Sequence, residues 1–176
     1  MSNVIVMNNS YADENALHDV FDYCFRSAIY CHGYGVRMVS KESIIESMEY
    51  IKQYHGKTGG KQLCHIIIGV DTIFGTGMSY TKKQTAIDGA ELDKFTRSLS
   101  EYIYYKYGYQ NCCFRHISKK GRPHAHFIIN PVHVQTGKKL ASHSNLAYEI
   151  HEILNFNFPK LKWGGVKYDT GDYDEW

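Results

Sequence analysis

The sequence predicts an α+β fold, with one mostly antiparallel central sheet and helices packed on it. Three observations carry that expectation. Apolar residues recur at helical spacing in four separated segments, and apolar runs of strand length lie between them. Two of those runs, "NCCFRHI" and "HAHFIIN", are joined only by the polar, Gly- and Pro-containing "SKKGRP", which makes a hairpin and hence an antiparallel pair.

In chain order, "NVIVMN" reads as a short strand. "ENALHDVFDYCFRSA" follows as a helix, with Leu17, Val20, Phe21, Cys24, Phe25 and Ala28 on one stripe. "HGYGVRMV" is a glycine-punctuated turn with room for a short strand. Ser40 caps a second helix whose apolar face is Ile44, Ile45, Met48 and Ile51, and the glycines of "YHGKTGGK" end it. The isoleucine run of "QLCHIIIGVD" predicts a strand buried on both faces. Asp88 is expected to open the third helix, with Leu92, Phe95, Leu99 and Tyr102 or Ile103 inward. The hairpin comes next, and "NLAYEIHEILNF" is the last helix, with Leu146, Ile150, Ile153 and Leu154 on its stripe.

A chain of 176 residues is expected to fold as a single domain, 1–176, with an acidic tail at 168–176 and no helicase, primase or coupling domain beyond it. No apolar run approaches the ~18 residues that span a bilayer. No basic stretch precedes the first apolar run, which argues against a secretory signal. Five cysteines, Cys24, Cys31, Cys64, Cys112 and Cys113, have no metal-ligand spacing and read as reduced thiols in a cytoplasmic protein. The net charge of +2 hides an uneven distribution: without the four acids of the tail it is about +6. Bases gather at Lys82/Lys83, around Arg115, Lys119, Lys120 and Arg122, and at Lys138/Lys139. Such clusters are most often solvated faces, and the fifteen tyrosines, suited to stacking on bases, prove nothing alone.

The middle cluster sits among histidines. Side chains alternate across a strand, so His124, His126, Ile128 and Asn130 share a face while Ala125, Phe127 and Ile129 take the other. Cys112, Phe114 and His116 share a face of the preceding strand, and folding the hairpin sets His116 beside His124 and His126. A lone strand histidine is more often a hydrogen-bonded polar residue than a ligand. Three neutral imidazoles converging on one point make a metal site with open positions. A three-histidine set suits Zn²⁺, Mn²⁺ or Co²⁺, and Mg²⁺ can serve where substrate phosphate adds oxygen ligands.

"HISKKGRPHAHFIIN" resembles the third motif of the relaxases, or mobilisation proteins, among the HUH endonucleases: an upstream His, then His-hydrophobic-His, then Asn. His116, His124, His126 and Asn130 match it in order, with a first gap one residue longer than usual. "QYHGKTGGKQLCHIIIGVD" looks like the family's glycine-containing run before a His-led strand, and "TGKKL" matches the turn after the Asn. "ALHDVFDYCFR" looks like the N-terminal helix that carries the tyrosine nucleophile, so the resemblance covers roughly residues 14–140. Two departures stand out. Ser118 replaces an acidic residue two positions after the first His, and Gly69-Val70 replaces Ser-Phe on the His-led strand.

The resemblance implies a metal-dependent endonuclease and strand transferase that nicks single-stranded DNA at an origin, with accessory mobilisation proteins as further partners. The implied catalyst is a tyrosine that becomes a 5′-phosphotyrosine, and the implied cofactor is Mn²⁺ or Mg²⁺, with Zn²⁺ as an alternative. The helical angle places Tyr23 off the apolar stripe of the first helix. Tyr30 lies on the same side if that helix runs on, and Tyr148 is the candidate if the chain follows the replication initiators and transposases, whose tyrosine comes after the H-x-H pair. Tyr23 is the expected nucleophile, His116, His124 and His126 the metal ligands, and Asn130 a support behind them. Lys119, Lys120, Arg122, Lys138 and Lys139 are expected on the DNA backbone. His65 reads as structural or near DNA, and "GKTGGK" lacks the spacing and position of a nucleotide-binding loop. A non-catalytic DNA-binding protein of the same fold and a zinc hydrolase using bound water are the remaining readings.

Overall fold

The structure is a computed structural model that describes residues 2–70, 82–119, 121–141, 143–159 and 163–169, the side chains of 82–88 and 143 excepted. The elements run β1 (Ser2–Met7), α1 (Ala16–Arg26), β2 (Tyr30–Tyr34), α2 (Lys41–Tyr54), β3 (Cys64–Gly69), α3 (Lys82–Tyr107), β4 (Asn111–Ile117), β5 (Pro123–Ile129), α4 (His143–Asn157) and β6 (Trp163–Asp169). The six strands lie in the order β2-β4-β5-β3-β1-β6. The pairs are antiparallel except for β1 with β6, so the sheet is the mostly antiparallel one expected.

Alternation on β3, β4 and β5 gives the sheet two apolar faces. On one, Ile66, Ile68, Cys113, Ala125, Phe127 and Ile129 meet Leu92, Leu99 and Ile103 of α3 and Leu146, Ile150 and Leu154 of α4. On the other, Ile67, Cys112, Phe114 and Ile128 meet Leu17, Val20, Phe21 and Cys24 of α1 and Ile44, Ile45 and Met48 of α2. Both faces of β3 are therefore covered, as its isoleucine run predicts. Phe21 stands edge-on to Phe114 with ring centroids 5.5 Å apart, and Phe25 packs on the same ring at 4.9 Å. Each fully buried aromatic contributes about 1.5–3 kcal/mol by area alone. These rings seat α1 on the sheet and fix which of its residues look towards β4 and β5.

Ser40 caps α2 as expected. Its hydroxyl accepts from Ser43 N at 3.1 Å while the Ser43 hydroxyl accepts from Ser40 N at 2.8 Å. Other expectations need correction. Tyr30 does not extend the first helix, because that helix ends at Arg26 and Tyr30 opens the edge strand β2. α3 begins at Lys82, so Asp88 lies inside it rather than at its cap. Lys52, 3% exposed, takes the place expected of the half-buried Ile51 in the interior. Its ammonium donates to Gln62 Oε1 at 3.0 Å, and burial lowers its pKa to about 8. Residues 168 and 169 of the acidic tail close β6, and 170–176 lie outside the described residues. All five cysteines are free thiols. Among the described residues no helix is long and apolar enough to cross a membrane.

Candidate active site

The hairpin register sets His116 directly opposite His124 and Phe114 opposite His126, so His116 is diagonal to His126. The turn that produces this register is tight. Ser118 N donates to Arg122 O at 2.9 Å, and Gly121 N donates to Ser118 O at 2.8 Å with Gly121 at φ +79°, a conformation that favours glycine. The ring centroids of His116 and His126 are 4.5 Å apart, those of His124 and His126 5.0 Å, and those of His116 and His124 5.5 Å. One ring nitrogen from each lies within 4.8 Å of the other two. The structure thus brings the three expected ligands together.

All three are buried, with His126 fully enclosed. Burial disfavours the imidazolium, lowering His124 to about 4 and His126 well below the ordinary histidine range, where the neighbouring His65, His124 and His116 add repulsion. His116 is also lowered, mainly by burial and partly opposed by its hydrogen bond to the Cys24 carbonyl. The rings are therefore neutral at pH 7, the form that offers a lone pair. His116 Nε2 donates to Cys24 O at 2.8 Å, which leaves its lone pair on Nδ1. His124 Nδ1 faces Arg122 O at 3.4 Å. His126 Nδ1 meets His65 Nε2 at 2.9 Å, while His126 Nε2 is buried with no hydrogen-bond partner among the described residues. An orphaned ring nitrogen in such a place is costly unless something fills its valence, and a divalent cation fits. These residues can hold the expected metal.

Tyr23 comes from α1 on the same face of the sheet. Its ring centroid is 5.9 Å from that of His116 and 5.6 Å from that of His126. Because Cys24 faces the sheet and lends its carbonyl to His116, one turn of α1 both orients that imidazole and presents the phenol. The other two tyrosines are elsewhere. Tyr30 turns to α3, where the Arg97 guanidinium donates to its hydroxyl. Tyr148 is 52% exposed on α4, which packs against the opposite face.

Lys119 and Arg122 are exposed in the β4–β5 turn at the rim of the histidine set, and Lys120 lies outside the described residues. Lys138 is exposed and Lys139 donates to Gly59 O, near the start of β3. That is the end of the sheet away from the turn, because Cys64 pairs with Ile129 while Gly69 pairs with His124. The two basic pairs are not brought together. Asn130 is buried, but its amide donates to Met48 O at 3.0 Å and Gln110 Oε1 at 2.8 Å, and its oxygen accepts from Val132 N at 3.2 Å. Those bonds tie α2 to the chain leaving β5 and do not run to the histidines. Ser118 accepts from Arg122 N at 3.1 Å and so closes the turn, leaving the orientation of His116 to the Cys24 carbonyl. Gly69, opposite His124, has open space where a side chain would project.

Three residues that the sequence reading did not place in the site belong to its walls: His65, Tyr11 and Cys24. His65, on β3, is fully buried diagonal to His126, and its Nδ1 lies 3.2 Å from the Tyr11 hydroxyl. Burial pushes its pKa down to about 3, helped by the nearby His116. Cys24, His65 and His126 also lie with ligand atoms within 4.8 Å of one another. Strand alternation does put His65 on one face with Ile67, but only the β3–β5 register places that face beside His126.

Neither the curated proteins nor the solved structures contain a match to this sequence. The family model described as "Relaxase: MobA/VirD2-like, nuclease domain" matches residues 23–155, from Tyr23 through all three histidines and into α4. A match over well more than half of the chain, on a mostly antiparallel α+β sheet, shows that this chain belongs to the relaxase family.

Proposed function

We propose that the chain is a metal-dependent, site-specific nicking and joining enzyme for single-stranded DNA, acting at an origin through a covalent 5′-phosphotyrosine on Tyr23. Family membership supports relaxase-type DNA nicking. The observation that carries the finer reading is the Tyr23 ring set beside His116 and His126, at the edge of the three-imidazole cluster. His116, His124 and His126 would hold a divalent cation, which would supply Lewis-acid chemistry towards the scissile phosphate.

The rest is done by the chain's own groups. The Tyr23 oxygen bonds to phosphorus as the P–O3′ bond breaks, the phenolic proton leaves to solvent, and the departing 3′ oxygen takes up a proton. The energy of the diester is kept in the phosphotyrosine, so a 3′ hydroxyl can reverse the step and rejoin strands. α1 holds the phenol in place before substrate arrives, which saves orientation at the moment of reaction. Lys119 and Arg122, exposed in the turn between the strands that carry the histidines, favour a phosphate backbone without reading sequence.

The test is to incubate the protein with Mn²⁺ and single-stranded origin DNA, isolate a conjugate that survives denaturation, and map the attached residue. Attachment at Tyr23 is expected, with none in a His116→Ala, His124→Ala, His126→Ala triple variant. Attachment at Tyr148 would return the chain to the initiator and transposase reading. Binding with no conjugate would leave a DNA-binding protein of the same fold.

A further inference from the structure

We infer that His65 is a positioning residue: it fixes the tautomer of His126, and the Tyr11–His65–His126 chain must run with hydrogens pointing away from the metal position. The inference deepens the proposed function and rests on its three-histidine metal reading. A neutral imidazole carries one N–H and one lone pair, so only one hydrogen lies between His126 Nδ1 and His65 Nε2 across their 2.9 Å contact. There are two ways to place it.

If His65 donates, His126 keeps its hydrogen on Nε2. That atom is the buried one without a partner, so the arrangement both strands an N–H and removes the lone pair a cation needs. If His126 donates, Nε2 holds a lone pair towards the cluster. His65 then carries its hydrogen on Nδ1, 3.2 Å from the Tyr11 oxygen, which accepts it. Only the second direction is compatible with His126 as a ligand.

The fold invests in that geometry. Tyr11 is 7% exposed and, among the described residues, is the one non-glycine with positive φ, at 44°. Such backbone costs roughly 1–2 kcal/mol and persists only where surroundings impose it. Here Gln62 N donates to Tyr11 O at 2.7 Å, and Gln62 is itself held by the buried Lys52. The strained residue delivers a phenol to the end of the histidine chain. In many metal sites a carboxylate or carbonyl accepts the ligand's second N–H; here a second histidine does, backed by a tyrosine.

The experiment measures Mn²⁺ affinity by calorimetry for the wild type, His65→Leu, His65→Gln and Tyr11→Phe, with thermal unfolding of each metal-free protein as a check on folding. His65→Leu is expected to weaken binding about 10- to 100-fold. His65→Gln should recover most of that, because its amide oxygen accepts from His126 Nδ1. Tyr11→Phe should weaken binding in the same direction. Equal affinity in wild type and His65→Leu overturns the inference alone, whereas no binding by the wild type overturns the metal reading and this one with it. His65→Gln as weak as His65→Leu assigns His65 a packing role and overturns it too. Nitrogen-15 NMR of the Zn²⁺-loaded wild type needs no substitution: hydrogen on His65 Nδ1 is expected, and hydrogen on Nε2 overturns it. A sulfur-to-metal charge-transfer band with Co²⁺ would move the ion to Cys24, His65 and His126 and overturn it as well.

Discussion

At the scale of single residues, the proposed function divides the work between the phenol of Tyr23, which forms the bond, and the imidazole of His126, which faces the cation. Tyr23 is half-buried at the histidine cluster, and its ring makes edge contacts there. Tyr23→Phe should therefore keep the fold and the Mn²⁺ affinity while lowering conjugate formation by at least about 10³-fold, read on denaturing gels. The clustering of His116, His124 and His126 was legible in the sequence because H-x-H puts two imidazoles on one strand face and a short polar connector forces the third alongside. The place of Tyr23 beside them was legible from its helical angle together with the family resemblance. His65 was not, because its partner His126 is 61 residues away and the register that joins them is set by packing. Asn130 matched the motif, yet its bonds serve α2 instead.

At the scale of elements, the hairpin and α1 together set Tyr23 beside the three histidines. Phe114 is fully buried between Phe21 and Phe25 and lies opposite His126 in the ladder. Phe114→Ala is expected to cost about 3–5 kcal/mol in urea unfolding, and to loosen α1 enough that conjugate formation falls more than metal affinity. The hairpin turn makes a separate prediction. Lys119→Ala with Arg122→Ala should leave stability unchanged and reduce the slope of log affinity against log salt by about 0.7 for each single-strand phosphate that is no longer neutralised. Helix existence was readable from apolar stripes throughout. Strand β6, "WGGVKYD", was not: it holds two glycines and a lysine, is only half-buried, and is a strand by virtue of β1. β2 was similarly obscured, since an edge strand with half-buried residues throughout has no apolar alternation to read.

Across the whole molecule, buried neutral histidines make folding depend on pH. His65 and His124 are lowered to about 3 and about 4, and His126 is lowered as well, all chiefly by burial. An unfolded histidine titrates near 6.5, so below that pH the unfolded chain takes up protons that the native chain refuses. Stability is complete above about pH 7 and falls as pH drops from 6.5 towards 4, with His124 alone worth on the order of 3 kcal/mol across that window. Urea midpoints at pH 7.5, 6 and 5 should show this decline in metal-free protein, and saturating Mn²⁺ should raise the midpoint at each pH, because the ion binds the folded histidine set in preference to the unfolded chain. The order of strands has a practical corollary. β6 sits three ladders from β5, about 14 Å at the usual strand spacing, and Lys167 on it is exposed. A fluorophore carried there would ride the far margin of the sheet, close enough to report by energy transfer on a labelled oligonucleotide and remote enough to leave the nicking step undisturbed.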